Sequence, residues 1–195
     1  PAYNVRLLSL LLSGTPPPRA QRPGGDDFFS DAVWRDLQLL ADKDLTLDVL
    51  MSNFDLSDVS IIANRVPTLK ILINHLTGLT ITGDPADANW SAAVKKAAAH
   101  PNVYCKVSGI FQRSGQSPAP KELSYYAPIF KVVYEAFGED RIIYGSNWPV
   151  TDRGGEYEEQ LSVINEFFKP MGRTTLEKLY WKNASKFYGV ELVEH

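Results

Sequence analysis

Two hydrophobic rhythms alternate along the chain. Short apolar runs at 5–9 (VRLLS), 46–51 (TLDVLM), 70–74 (KILIN), 103–108 (VYCKVS) and 141–145 (RIIYG) have the length and β-branched content of strands. Between them, apolar residues return at the three- and four-residue spacing of a helix with one buried face. Phe29, Val33, Leu37, Leu40 and Ala41 form the first stripe, with Ser30 or a nearby aspartate as N-cap. Leu56, Val59, Ile62, Ala63 and Val66 form the second. Asp55 caps its start, and Pro67 stops it by pushing the preceding residue out of the helical region. Trp90, Val94, Ala97 and Ala98 mark a third helix, closed by His100-Pro101-Asn102. Leu123, Tyr126, Ala127, Phe130, Val133, Tyr134 and Phe137 give the strongest stripe, with Gly138 as its C-cap. Tyr157, Leu161, Ile164 and Phe168 mark a fifth helix. Leu176, Leu179, Tyr180 and Phe187 mark the last, with Thr174 and Glu177 at capping-box spacing.

Nearly continuous apolar strands alternating with helices predict an α/β fold with a parallel sheet covered by helices. No glycine pattern follows a strand and opens a helix in the manner of a phosphate loop. The segment 13–27 (SGTPPPRAQRPGGDD) reads as a long loop. The run Leu7–Leu12 fits a buried strand better than a signal-peptide core, and no run approaches the length of a membrane span.

In parallel α/β folds the chemistry gathers beyond the C-terminal strand ends. Four strands here run into polar residues: Ser52 and Asn53, Asn74 and His75, Ser108, and Ser146-Asn147-Trp148. His75, at a strand tip, suits a metal ligand or a donor that polarises a carbonyl; the competing reading is a histidine bonded to a nearby backbone carbonyl. His100, at a helix end before proline, reads as structural. Arg6, Asp48 and Lys106 interrupt apolar strands, where a charge is costly unless paired. They are expected to point into a barrel interior, pairing with one another or holding an anionic substrate; the competing reading puts one or more of them at an exposed strand end.

Composition narrows the classes. The 195 residues carry 20 basic and 23 acidic side chains, which argues against a nucleic-acid or anionic-membrane surface. Cys105 is the single cysteine, so neither an internal disulfide nor a cysteine-based zinc cluster is available. This balance allows a cytoplasmic enzyme acting on a small molecule or a plain scaffold.

The blocks IIANRVPTLKILINH, HPNVYCKVSG, FGEDRIIYGSNWPV and LEKLYWKNASKFYGV resemble successive blocks of the amidohydrolase-related hydrolases, a branch that includes sugar lactonases and 2-pyrone-4,6-dicarboxylate lactonases. The resemblance implies a partial, distorted (β/α)8 TIM-like barrel in one domain over residues 1–195. Members of that family open with a His-x-His pair on the first strand, and this sequence has none. It is therefore expected to begin partway through the barrel, with exposed sheet edges that favour association of copies. The family commonly carries aspartate where Asn147 stands. The activity implied is attack of water on a lactone or related ester. His75 would polarise the carbonyl, alone or through one divalent metal such as zinc, which this chain is expected to hold poorly. Asn147 would orient the water, and Asp152 is a candidate base. Arg6, Lys106, Ser108, Trp148 and Arg153 are candidate substrate contacts. The alternatives are a zinc-dependent decarboxylase of aromatic acids and a non-catalytic, ligand-binding barrel.

Overall fold

A computed structural model describes residues 29–50 and 55–190. Helix α1 (Asp31–Asp42) leads into strand β1 (Thr46–Val49), followed by α2 (Leu56–Arg65), β2 (Lys70–Ile73), α3 (Ala88–Ala98) and β3 (Val103–Ser108). Then come a short helix α4 (Ile110–Arg113), the long α5 (Leu123–Phe137), β4 (Ile142–Gly145), α6 (Tyr157–Phe168) and α7 (Arg173–Glu177). A π-helical turn at Lys178–Lys182 joins α7 to α8 (Asn183–Tyr188). Among the described residues, no helix is long and apolar enough to cross a membrane.

The four strands are parallel and lie in chain order, β1-β2-β3-β4. Sequential order with right-handed crossovers sends the connecting helices to the same face of the sheet. The arrangement is therefore an arc of a β/α barrel and not a doubly wound sheet. Side-chain alternation makes the two faces different. Leu47, Val49, Ile71, Ile73, Val103, Cys105, Val107 and Ile142 face the helices and join Val59, Ile62, Val94, Phe130, Val133 and Ile164 in one core. Leu72, Tyr104 and Ile143 face the other way and pack on Phe187 of α8 in a smaller cluster.

Local signals account for most element boundaries. Ser30 caps α1 by accepting from the Val33 amide. Asp55 accepts from the amides of Ser57 and Asp58 while Asp58 returns a bond to the Asp55 amide, a full capping box. Gly138 ends α5 in the left-handed region, at φ +66°.

Three expectations need correction. The strand expected over 46–51 ends at Val49, where its pairing with β2 stops at Ile73, and Met51 lies outside the described residues. Thr174 does not cap the last helix. That helix starts at Arg173 behind Gly172, and Glu177 instead takes Arg173 and Lys182 in ion pairs. The capping box falls one helix earlier, between Glu156 and Glu159. The last stripe also is not one regular helix, since the π turn interrupts it. Arg6, Ser52 and Asn53, and the loop expected over 13–27, lie outside the described residues.

Candidate active site

The inner face of the sheet opens into a cavity of about 860 Å³. Its floor is built from residues that share one side of their strands: Asp48 on β1, Lys106 on β3 and Ile143 on β4. Its rim is built from strand tips, with His75 after β2, Ser108 at the end of β3 and Gly145–Trp148 after β4.

The two charges on the floor satisfy each other. Lys106 Nζ lies 3.1 Å from Asp48 Oδ2, with both side chains about four-fifths buried. Tyr188 Oη, carried in by α8, donates to the same carboxylate, at 3.0 Å from Oδ2 and 3.2 Å from Oδ1. It also lies 3.5 Å from Lys106 Nζ. Among the described lining residues Lys106 is the only cation and Asp48 the only carboxylate, so the floor carries no net charge.

The rim is conformationally unusual. His75, Leu76, Thr77 and Gly78 all have positive φ, between +50° and +72°, and so make a left-handed turn directly after β2. Such geometry costs roughly 1–2 kcal/mol per non-glycine residue and persists only where the surroundings over-determine it. Here they do. Leu76 and Thr77 are buried, Trp90 Nε1 donates to Thr77 Oγ1 at 2.7 Å, and Arg113 Nη1 donates to the Gly78 carbonyl at 2.9 Å. Asn147 is also left-handed, at φ +56°. Its loop is tied down at Ser146, whose carbonyl accepts from Gln160 Nε2 at 2.9 Å and from the Thr151 hydroxyl.

These turns bring polar groups from three strand ends together. His75 Nδ1 and Ser108 Oγ are 2.9 Å apart. Asn147 Nδ2 donates to Gln112 Oε1. Gly109, at φ +63°, sits among all of them. A Cβ at that position would lie 3.1 Å from Gln112 Oε1, 3.2 Å from His75 Nδ1 and 3.3 Å from Asn147 Nδ2. Glycine adopts that conformation without strain and leaves the three polar groups their room.

His75 is held neutral. Burial is the main cause, reinforced by the positive charges of Lys106 and Arg113 and partly opposed by Asp48, and its pKa falls from 6.5 to about 4. At neutral pH the ring is an imidazole with one N–H and one acceptor nitrogen. Cys105, on the helix-facing side, is fully buried with its pKa pushed up to about 12, so it offers no thiolate.

Of the residues singled out from the sequence, His75, Lys106, Ser108, Asn147 and Trp148 line this one cavity. Trp148 stands at the rim, 65% exposed. Asp152 and Arg153 do not line it. They lie exposed in the turn Val150–Arg153, where the Arg153 carbonyl accepts from Ser117 Oγ at 3.1 Å. Sequence reasoning missed Gln112, Gly109, Arg113, Trp90 and Tyr188. A glycine just past a strand end and an aromatic pair closing the last stripe were visible signals for Gly109 and Tyr188. Nothing in the pattern marks Gln112. As for a metal, the described residues contain no group of three His, Cys, Asp or Glu side chains placed to hold one, so His75 would stand as a lone ligand.

The family described as Amidohydrolase matches residues 19–190. An L-fucono-1,5-lactonase of Burkholderia ambifaria is 30% identical over 182 residues, covering 89% of this chain and 60% of that protein. An L-rhamnono-gamma-lactonase of Scheffersomyces stipitis is 37% identical over 142 residues, covering 65% of this chain and 42% of the relative. The chain thus spans about 60% or less of the length of these two relatives. A solved amidohydrolase of Burkholderia multivorans superposes with a TM-score of 0.76 at 21% identity, covering 96% of this chain and 71% of that one. A second crystal form of that amidohydrolase holds zinc. The superposition shows a shared fold, of which the four strand–helix units here form a part.

Proposed function

The chain belongs to the amidohydrolase family, and we propose that it contributes the working wall of a hydrolase that opens neutral, hydroxyl-bearing lactones. The observation that carries this reading is a neutral imidazole, His75, sharing one cavity rim with the Asn147 carboxamide. The two lactonase relatives support it.

The chemistry assigned to each residue follows from its environment. A histidine that titrates near 4 is a weak base at pH 7 but a competent neutral donor. In the tautomer in which Ser108 Oγ–H donates to Nδ1 across 2.9 Å, the ring carries its proton on Nε2, available to a lactone carbonyl oxygen. Asn147 offers its Oδ1 as acceptor to the attacking water. Water oxygen bonds to the carbonyl carbon, the ring C–O bond breaks, and the ring oxygen leaves as a hydroxyl. The hydroxy acid is released as its carboxylate, with one proton passing to solvent. Asp152 takes no part in this scheme, being exposed and off the cavity. No step is routed through a metal, because the described residues do not form a ligand set for one.

The floor favours the neutral substrate. A substrate carboxylate would meet a Lys106 ammonium already neutralised by Asp48, whereas sugar hydroxyls find both donors and acceptors in Asp48, Lys106 and Tyr188. Trp148 supplies an exposed aromatic face beside them. The test is proton release from L-fucono-1,5-lactone and L-rhamnono-γ-lactone at pH 7. His75→Ala is expected to lower kcat/KM by at least about a hundredfold. Full activity in that variant removes the assignment.

A further inference from the structure

We propose that Asp48 is a specificity-determining residue, which by neutralising Lys106 keeps the cavity from retaining the hydroxy-acid product that ester opening leaves there. The role deepens the lactonase reading, on which the identity of that product rests.

Opening a lactone changes the charge of what the cavity holds. Water and a neutral ring enter. One C–O bond forms, another breaks, a proton goes to solvent, and a carboxylate remains. That new charge arises at the former carbonyl carbon, beside the His75–Ser108 pair. Lys106 stands two residues before Ser108 on the same side of β3, so their Cα atoms are roughly 7 Å apart. The lysine's charge is felt at the rim, where it joins burial in holding the His75 pKa down. A bare ammonium this near would raise the affinity for the nascent carboxylate by about an order of magnitude or more. Were Lys106, the one cation among the described lining residues, left unpaired, the cavity would be inhibited by its own product.

Asp48 removes that attraction, and the polarity of the contact has no alternative. An ammonium only donates and a carboxylate only accepts. Lys106 Nζ donates to Asp48 Oδ2 at 3.1 Å, a contact from β3 to β1 that spans the intervening β2. Tyr188 Oη donates to the same carboxylate, which holds Asp48 in place for the lysine. The lysine stem is confined as well. It passes Gly145 so closely that a Cβ there would lie 3.3 Å from Lys106 Cδ and 3.6 Å from Cγ. Gly145 is not one of the left-handed glycines, so what it supplies is room for that stem. A substrate hydroxyl can still bond to this floor, because it both donates and accepts. A carboxylate can only accept, and it meets Asp48 as a like charge. One ion pair thus admits the lactone and turns out the hydroxy acid.

Two ligands test this. One is L-fuconate, the hydroxy acid that L-fucono-1,5-lactone yields on opening. The other is L-fucitol, the same carbon chain with a hydroxymethyl group in place of the carboxylate. Their dissociation constants are measured by calorimetry on protein shown to be folded by circular dichroism, and the readout is the affinity for fuconate relative to fucitol. Asp48→Asn is expected to raise that ratio at least about tenfold, and added salt should erode the gain. Lys106→Met leaves the Asp48 charge without its counter-ion and is expected to lower the ratio at least about tenfold. The double variant Asp48→Asn/Lys106→Met should return to within about threefold of the unmodified ratio. A pair that served only packing would move both ligands alike. An unchanged ratio in Asp48→Asn overturns the proposal, as does a gain that survives the loss of Lys106. Should Asp48→Asn not fold, Lys106→Met decides, and an unchanged ratio there overturns it. In turnover, the fuconate inhibition constant should fall at least about tenfold relative to the lactone KM in Asp48→Asn. If the unmodified chain turns over no lactone, the lactonase reading fails, and the binding ratios alone decide whether Asp48 turns carboxylates away.

Discussion

The two faces of the sheet spend the same backbone on opposite ends. The helix-facing side is apolar, with Leu47, Ile71, Ile73, Val103 and Ile142 all inaccessible to solvent and the buried Cys105 among them. The inner side carries the Asp48–Lys106–Tyr188 cluster, and its strands lead out to Ser108, His75 and Asn147 at the rim. Both are products of the same two-residue alternation, so neighbouring positions on one strand belong to different jobs. Ile71 and Ile73 stabilise the fold, while Asn74 and His75 line the cavity. Substitutions on the two faces should accordingly separate stability from chemistry.

The sharpest way to break that separation is Ile71→Ala. Removing a fully buried aliphatic side chain is expected to cost about 2–5 kcal/mol in urea unfolding. Turnover per folded molecule should be unchanged, and a matching loss of turnover would show that the faces are coupled. The next effect is electrostatic. Asp48→Ala or Lys106→Ala alone leaves a largely buried charge without its ion-pair partner, at about 1–3 kcal/mol. The double variant Asp48→Asn/Lys106→Met should be less destabilised than either single change. A double variant that simply adds the two losses would mean that the pair is not a unit.

The smallest effect is a pH dependence. His75 binds a proton near 4 when folded and near its ordinary 6.5 when unfolded, so the unfolded chain takes up more protons between those values. Stability from this group is present above 6.5 and is lost as pH falls through 4. From pH 7 to 5.5 the loss should be on the order of 1 kcal/mol, read as a drop in urea midpoint. His75→Gln should flatten that part of the profile, and an equal slope in the variant would assign it elsewhere.

Much of this organisation was legible in the residues. The strands announced themselves as short apolar runs, and the cost of a charge in an apolar strand led to the expectation of paired interior charges, which Asp48 and Lys106 meet. His75 and Asn147 could be placed at strand tips because each comes within three residues of the end of an apolar run. What escaped notice had no local periodic signal. Gln112 sits in a one-turn helix too short to show a stripe. Tyr188 reaches Asp48 across 140 positions of chain, a pairing that only the folded topology creates. The Thr174–Glu177 spacing misled because the capping-box pattern needs the chain to enter the helix at Thr174, and Gly172 starts it earlier.

The wide turn at Lys178–Lys182 bears on how such a cavity diversifies. Each residue of an α-helix subtends about 100°, and a π turn accommodates one residue more than an α turn. The segment beyond it is thereby re-indexed relative to the segment before. Leu179 belongs to the helix-side core, whereas Phe187 packs against the opposite side of the sheet and Tyr188 reaches Asp48 there. A single-codon insertion or deletion within the turn would swing that phenol around the axis while leaving every contacting residue type intact. Ligand preference in such a lineage can therefore drift by chain length as well as by side-chain replacement.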